Sequence, residues 1–204
     1  MKYLFFILIF FNILNADAFS INSEDKQRIK NLYTKKQIVK RINNFHEFFK
    51  KAKNYDEIKK LNRVNNYINR IIGKGDKTNE WITPKEFLIR GRGDCEDYAI
   101  TKYFALKKLN IDTTRLYLSV VKVKGSRNYH MVLLYVKDKS IYVLDNLSWK
   151  LVKLKKRRTL IFYYAFNQYG SYIIKNDKFI KEKNIRREEV VLFRKMLQDI
   201  EEGK

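Results

Sequence analysis

The sequence predicts an α+β domain in which N-terminal helices precede one buried helix carrying the only cysteine, packed on an antiparallel sheet. Three features of the chain point to it. Apolar residues recur at helical spacing up to about residue 109. From residue 116 the pattern changes to β-branched and alternating runs separated by short turns. The composition suits a packed core: 204 residues, 45% hydrophobic and 15% aromatic, with seven Gly and one Pro. That is chain enough for one domain, and it excludes an extended disordered tail.

The first element is a targeting segment. Lys2 supplies a positive start, the stretch from Tyr3 to Leu14 is apolar apart from Asn12, and Ala16-Asp17-Ala18 has small residues at signal-peptidase spacing. Residues 1–18 therefore read as a secretory signal, with cleavage expected after Ala18 and, as a second choice, after Ala16. An uncleaved anchor is the alternative, but the run is shorter than the ~20 residues of a spanning helix. Residues 19–204 remain as the working domain.

Ile38, Ile42, Phe45, Phe48 and Phe49 outline one amphipathic helix, and Ile58, Leu61, Val64, Ile68 and Ile71 a second, broken by Gly73-Lys74-Gly75-Asp76. Thr83-Pro84-Lys85-Glu86 reads as a capping box with Pro at the first helical position. Gly91-Arg92-Gly93 forms a loop, and Asp94 is a natural N-cap for a helix marked by Ala99, Ile100, Tyr103, Leu106 and Leu109. Cys95 falls in its first turn. Residues 116–123, 129–136, 141–145, 160–166 and 172–174 read as strands, and residues 187–202 as a charged helix.

The formal net charge is +22. Such a field attracts anions: nucleic acid, acidic lipid head groups or acidic proteins. For an exported chain an anionic membrane surface or an acidic protein fits better than nucleic acid. A lysine-rich solvated surface without a partner is the plain alternative.

A single cysteine in an exported protein cannot form an internal disulfide, so Cys95 is either buried and inert or a reactive thiol. A helix N-terminus places partial positive charge beside it, and its own backbone N–H is free to face an oxyanion. A nucleophilic thiol needs a base, and the chain offers His46 and His130. His46 lies among phenylalanines on an N-terminal helix, a packing or surface position, whereas His130 opens a strand after the loop Gly125-Ser126-Arg127-Asn128. With Val136 opposite Ile141, His130 and Asp145 share a sheet face as diagonal neighbours roughly 7 Å apart, so Asp145 is the candidate to orient the imidazole.

Asp94, Glu96 and Asp97 surround the cysteine. They make good first-turn helix chemistry, yet three anions oppose thiolate formation. A cation would reverse that penalty, and carboxylate oxygens suit Ca²⁺. These acids are therefore candidate metal ligands.

The segments Trp81-Ile82-Thr83-Pro84-Lys85-Glu86-Phe87-Leu88 and Gly91-Arg92-Gly93-Asp94-Cys95-Glu96-Asp97-Tyr98-Ala99, followed by Tyr129-His130-Met131-Val132-Leu133 and Leu144-Asp145-Asn146-Leu147, resemble the bacterial transglutaminase-like cysteine proteinases, the LapG-like periplasmic proteases. The resemblance spans roughly residues 81–147. It implies a papain/transglutaminase-like fold, a Cys95-His130-Asp145 triad, and Ca²⁺ dependence through Asp94, Glu96 and Asp97. It further implies a periplasmic endopeptidase that cleaves the N-terminal region of a large surface adhesin, releasing it and dispersing biofilm. An inner-membrane cyclic di-GMP receptor would sequester the enzyme. The high positive charge is not part of that pattern. Two other readings stay open on the residues: acyl transfer to an amine by the same triad, and a non-catalytic basic binding protein with an inert Cys95. Trp81 and the loop at residues 125–128 are candidates to border the cleft.

Overall fold

The computed structural model describes residues 17–71, 80–176, 178–183 and 187–202. Most of the expected signal segment and the Gly73–Asp76 breaker lie outside these residues. Five helices lead: α1 (Ser23–Lys30), α2 (Lys35–Ala52), α3 (Glu57–Asn69), α4 (Pro84–Arg90) and α5 (Cys95–Lys108). The strands follow: β1 (Leu116–Val123), β2 (Tyr129–Lys137), β3 (Ser140–Leu144), β4 (Val152–Lys153), β5 (Leu160–Asn167), β6 (Gly170–Lys175) and β7 (Lys178–Lys181). The helix α6 (Arg187–Glu201) closes the order. Among the described residues the seven strands form one antiparallel sheet in the order β4-β3-β2-β1-β5-β6-β7. The α+β class, the helix-then-sheet order and the helix carrying the cysteine all agree with the sequence reading.

α5 is buried all round from Asp97 to Leu106, polar Thr101 and Lys102 included. Ala99, Ile100, Tyr103 and Leu106 pack with Leu116, Leu118, Met131, Leu133 and Leu144 from one sheet face. α6 covers the same core, with the Phe193 ring 5.0 Å from Tyr103 edge-to-face. The other sheet face carries a second cluster of Val121, Val132, Leu134, Ile141, Val143 and Leu160. Residues Val132 and Leu134 share that face, as their alternation requires.

One local signal behaves differently from expectation. Thr83 caps α4 by accepting from the Glu86 N–H at 3.4 Å, but Glu86 does not reciprocate. Its carboxylate instead accepts from Arg28 at 2.6 Å and Arg90 at 2.7 Å, two charged partners that outbid a single backbone N–H. Gly91 ends α4 at φ +66, the left-handed geometry glycine takes without cost. The Arg41 guanidinium packs against it and donates to Leu88 O at 2.6 Å and Ile89 O at 3.2 Å. Three elements escaped the sequence reading: α1, whose one buried apolar residue is Ile29, and the short edge strands β4 and β7.

Phe19 is buried against Phe45 and Phe49, with centroids 4.5 and 5.9 Å away, so the chain is anchored into the helical layer directly after the expected signal. Phe45 is fully buried and also contacts Phe49 at 4.6 Å and Tyr67 at 5.8 Å. Truncation there removes a large side chain from a site ringed by rigid aromatics. Phe45→Ala is expected to lower unfolding free energy by about 3–5 kcal/mol, measured by urea denaturation followed by circular dichroism.

Candidate active site

α5 starts at Cys95 because the acids around it are committed to holding the helix end. Asp97 is 4% exposed. Its Oδ2 accepts the Asp94 N–H at 2.9 Å and its Oδ1 the Ile82 N–H at 3.1 Å. That carboxylate ties the chain entering α4 to the start of α5. Gly93 makes this closure fit: a Cβ there would lie 2.8 Å from Asp97 Oδ2 and from a ring carbon of Phe87. The Gly-Asp-Cys-Glu-Asp string is thus a steric and hydrogen-bonding unit as well as a chemical one.

The thiol is partly buried at the head of this helix. Its S–H donates to Glu96 Oε2 at 3.1 Å. Burial pushes the thiol up to about 12, and the Glu96 carboxylate adds to it. In this arrangement the sulfur is held as S–H.

The sulfur shares a cleft with Met131 near the start of β2, where the preceding residue is His130. Cys95 and His130 line one cleft of about 470 Å³, together with Asp94, Glu96, Val120, Asn128, Tyr129 and Met131. A larger cavity of about 610 Å³ lies among the N-terminal helices and holds none of the three candidate residues. His130 is buried, and its Nε2 lies 2.8 Å from Asp145 Oδ1. That contact leaves Nδ1 as the ring nitrogen available for proton exchange. His46 is exposed on α2, as the sequence reading held. Of the suggested cleft borders, Asn128 lines the cleft, whereas Trp81 stacks on Phe166 at 6.0 Å as part of the core wall.

The pairing Val136↔Ile141 occurs as expected, and the β2–β3 ladder ends at Leu133↔Leu144. Asp145 sits just past it, 1% exposed. Burial alone would raise its pKa. The hydrogen bond with His130, the Arg157 guanidinium and the Leu147 N–H together outweigh burial and hold the carboxylate down at about 2. Arg157 Nη2 donates to Oδ2 at 2.6 Å and Leu147 N–H to Oδ1 at 2.9 Å. α3 grips the same turn: Asn69 Nδ2 donates to Asp145 O at 2.9 Å, and Asn65 Nδ2 to Ser148 O at 2.8 Å. Lys102, on α5, is 1% exposed. Burial lowers its ammonium to about 7, and the Asp145 anion acts against that shift.

Arg157, Asn65, Asn69 and Lys102 were not singled out in the sequence. Lysines and arginines abound in this chain, so Arg157 carries no local mark. Asn65 and Asn69 have one: polar residues four apart on a helix whose apolar stripe includes Leu61, Val64 and Ile68, which places them where they must find buried partners.

The acids fit a Ca²⁺ ion in part. Asp94 and Glu96 border the cleft, so their side chains are reachable. Both Asp97 oxygens already accept backbone N–H groups, and among the described residues no group of three or more His, Cys, Asp or Glu side chains converges as a metal cage.

Asp145 gives the site a defined acid limit. Its folded value lies below the ordinary carboxylate value of 3.8. The stability it contributes is therefore present above about pH 4 and lost as pH falls through about 2. Arg157→Ala removes one cause of the depression, so its acid unfolding midpoint should move to higher pH. It should also cost about 2–4 kcal/mol at neutral pH, because a buried carboxylate loses a partner. Acid titration by circular dichroism checks both, and an unmoved acid limb would show that Arg157 does not control Asp145.

Three comparisons bear on this geometry. The chain resembles solved structures of LapG from Legionella pneumophila. The calcium-bound form is 24% identical with a TM-score of 0.68, over 83% of this chain and 95% of that one. The EGTA-treated form is 24% identical with a TM-score of 0.67, over 84% and 95%. At that identity the likeness establishes the fold, which is the transglutaminase-like α+β fold. No curated protein sequence matches the chain. The family model described as bacterial transglutaminase-like cysteine proteinase BTLCP matches residues 33–169. That match takes in α2 to α5, with the thiol, and β1 to β5, and the chain belongs to the bacterial transglutaminase-like cysteine proteinases.

Proposed function

We propose that this protein is an exported, calcium-dependent cysteine endopeptidase working through Cys95, His130 and Asp145. The observation that carries the reading is one cleft in which the sulfur at the head of α5 and an imidazole bonded to a buried carboxylate face the same space.

The chemistry follows from these atoms. His130 Nδ1 takes the Cys95 proton, and Asp145, through Nε2, stabilises the imidazolium that results. The thiolate attacks a peptide carbonyl. The oxyanion forms next to the helix N-terminus, where the Cys95 backbone N–H has no intrahelical acceptor. Collapse breaks the C–N bond, and His130 returns the proton to the leaving amine. Water, deprotonated by His130, then attacks the thioester and frees the acid and the thiol. Arg157 and the two asparagines keep Asp145 ionised and in place throughout.

The S–H bond to Glu96 opposes the first step, and the calcium reading addresses that. Asp94 and Glu96 would supply carboxylate oxygens, with Asp97 holding the helix end beside them, and the ion, when bound, would supply positive charge that offsets these anions next to the sulfur. The Legionella LapG structures described as calcium-bound and EGTA-treated support it. The periplasm is the proposed compartment, reached through the signal at residues 1–18. Cleavage after Ala16 would retain the Asp17–Lys108 ion pair, and cleavage after Ala18 would not. The proposed substrate is the N-terminal region of a large surface adhesin, with an inner-membrane cyclic di-GMP receptor as sequestering partner. Both are what the resemblance of residues 81–147 to the LapG-like proteases implies.

Cys95→Ala should abolish cleavage of such an adhesin fragment while leaving the circular dichroism spectrum unchanged. A Cys95→Ala protein that still cuts would remove the assignment, and a folded wild type whose Cys95 ignores iodoacetamide with Ca²⁺ present would favour a binding role. Calcium at about 100-fold over its Kd should raise the melting temperature by on the order of 5 °C, and EGTA should reverse it. Glu96→Gln should diminish the shift. A melting curve indifferent to both reagents would eliminate the ion without touching the triad.

A further inference from the structure

Two basic stretches meet beside the cleft. The first is residues 122–128, with Lys122, Lys124 and Arg127. The second is residues 150–161, which includes Lys155, Lys156, Arg157 and Arg158. Neither stretch contains an acid. The fold brings them together at the His130–Asp145 end of the site. Lys124 N–H donates to Thr159 O at 2.8 Å. Lys122 lies between Tyr129 and Ile161 in register, with its ammonium 6.0 Å from the Tyr129 ring centroid. Arg127 precedes Asn128, which lines the cleft. Arg157 turns inward to Asp145, which leaves Lys155, Lys156 and Arg158 exposed around it.

The same surface presents apolar area. Tyr129 is 60% exposed, and Tyr163 and Ile161 are about half exposed. The two tyrosine rings meet edge-to-face at 5.2 Å. The opposite wall of the cleft, formed by Asp94, Cys95 and Glu96, is acidic. The cleft is thus negative beside the sulfur and aromatic at Tyr129 beside the imidazole, and the cations stand outside its lining.

We propose that this basic rim is a substrate-recognition surface that holds an acidic stretch of polypeptide flanking the bond to be cut. The inference rests on the cysteine-protease reading and adds the substrate's chemistry to it. Cations spaced along an exposed sheet end attract carboxylates over several ångströms, and the tyrosines and Ile161 give a flanking apolar side chain something to cover. Charge placed locally also differs from a high net charge, because exposed charges further apart than a Debye length of about 10 Å act independently in ordinary salt.

The experiment uses the chain from residue 19 as Cys95→Ala and three fluorescein-labelled probes. One is a 12-residue peptide rich in Asp and Glu, one is its Asn/Gln counterpart, and one is a 12-nucleotide single strand. At 50 mM salt the acidic peptide should bind about tenfold or more tighter than its amide counterpart, and the difference should shrink at 300 mM. The triple reversal Lys155→Glu, Lys156→Glu, Arg158→Glu should cost about tenfold. An equal reversal at Lys35, Lys36 and Lys40, exposed on α2, should cost under about twofold. Circular dichroism melts confirm that both variants fold. Equal binding of both peptides, equal loss in both variants, or tighter binding of the oligonucleotide would each overturn the proposal. Wild-type protein is run in parallel, with Ca²⁺ present, on a mixed peptide library. A rim-dependent preference without any cleavage would sustain the surface and sink the protease, whereas cleavage with no acids enriched near the cut sites would do the reverse.

Discussion

A carboxylate almost sealed from water, Asp145, has to stay ionised for the site to exist. Burial works against its charge by several kcal/mol unless charged partners and hydrogen bonds replace the lost solvent. Here His130, Arg157 and the Leu147 N–H do so, each on a stated oxygen. The result is an anion fixed in place, and an imidazole whose Nε2 has one partner and whose Nδ1 points to one task. The asparagines of α3 fasten the backbone of the same turn, so the helical layer and the sheet are both committed to holding one side chain.

The sulfur has the opposite character. α5 gives it a favourable helix end, and the surrounding acids take that advantage away. Asp97 is absorbed in structure, bridging two backbone N–H groups, while Glu96 holds the thiol proton. A site whose base is ready and whose nucleophile is restrained is one that a change in charge near Glu96 would govern. This separates the two halves of the machinery: the sheet organises the base, and the first turn of α5 sets the state of the thiol.

Much of the architecture was legible because it depends on local regularities. The helical stripes of α2 and α3, the Asp94 cap, the bounds of β1 and the Val136↔Ile141 register were all written as period and turn chemistry. α1, β4 and β7 were not, because a helix with one buried apolar residue and strands of two and four residues carry too little pattern. Their ordering comes from neighbours: Arg28 reaching from α1 to Glu86, or β4 pairing through Tyr142 and Val143. The Thr83–Glu86 box was half right for the same reason, since Arg28 and Arg90 compete for the glutamate from outside the local window.

By itself the sequence determined that Cys95 heads a helix, that acids crowd it, and that His130 and Asp145 share a parity on adjacent strands. Each of these is a property of neighbours within a few residues or of strand alternation. Only the tertiary structure decided that Arg157 clamps Asp145, that Asn65 and Asn69 hold its turn, that Lys102 is buried near it, and that two separate basic stretches meet through Lys124 and Thr159. These depend on segments separated by tens of residues meeting in space, and no local period records such meetings. Burial is what gives them force, because partners matter most where water is absent.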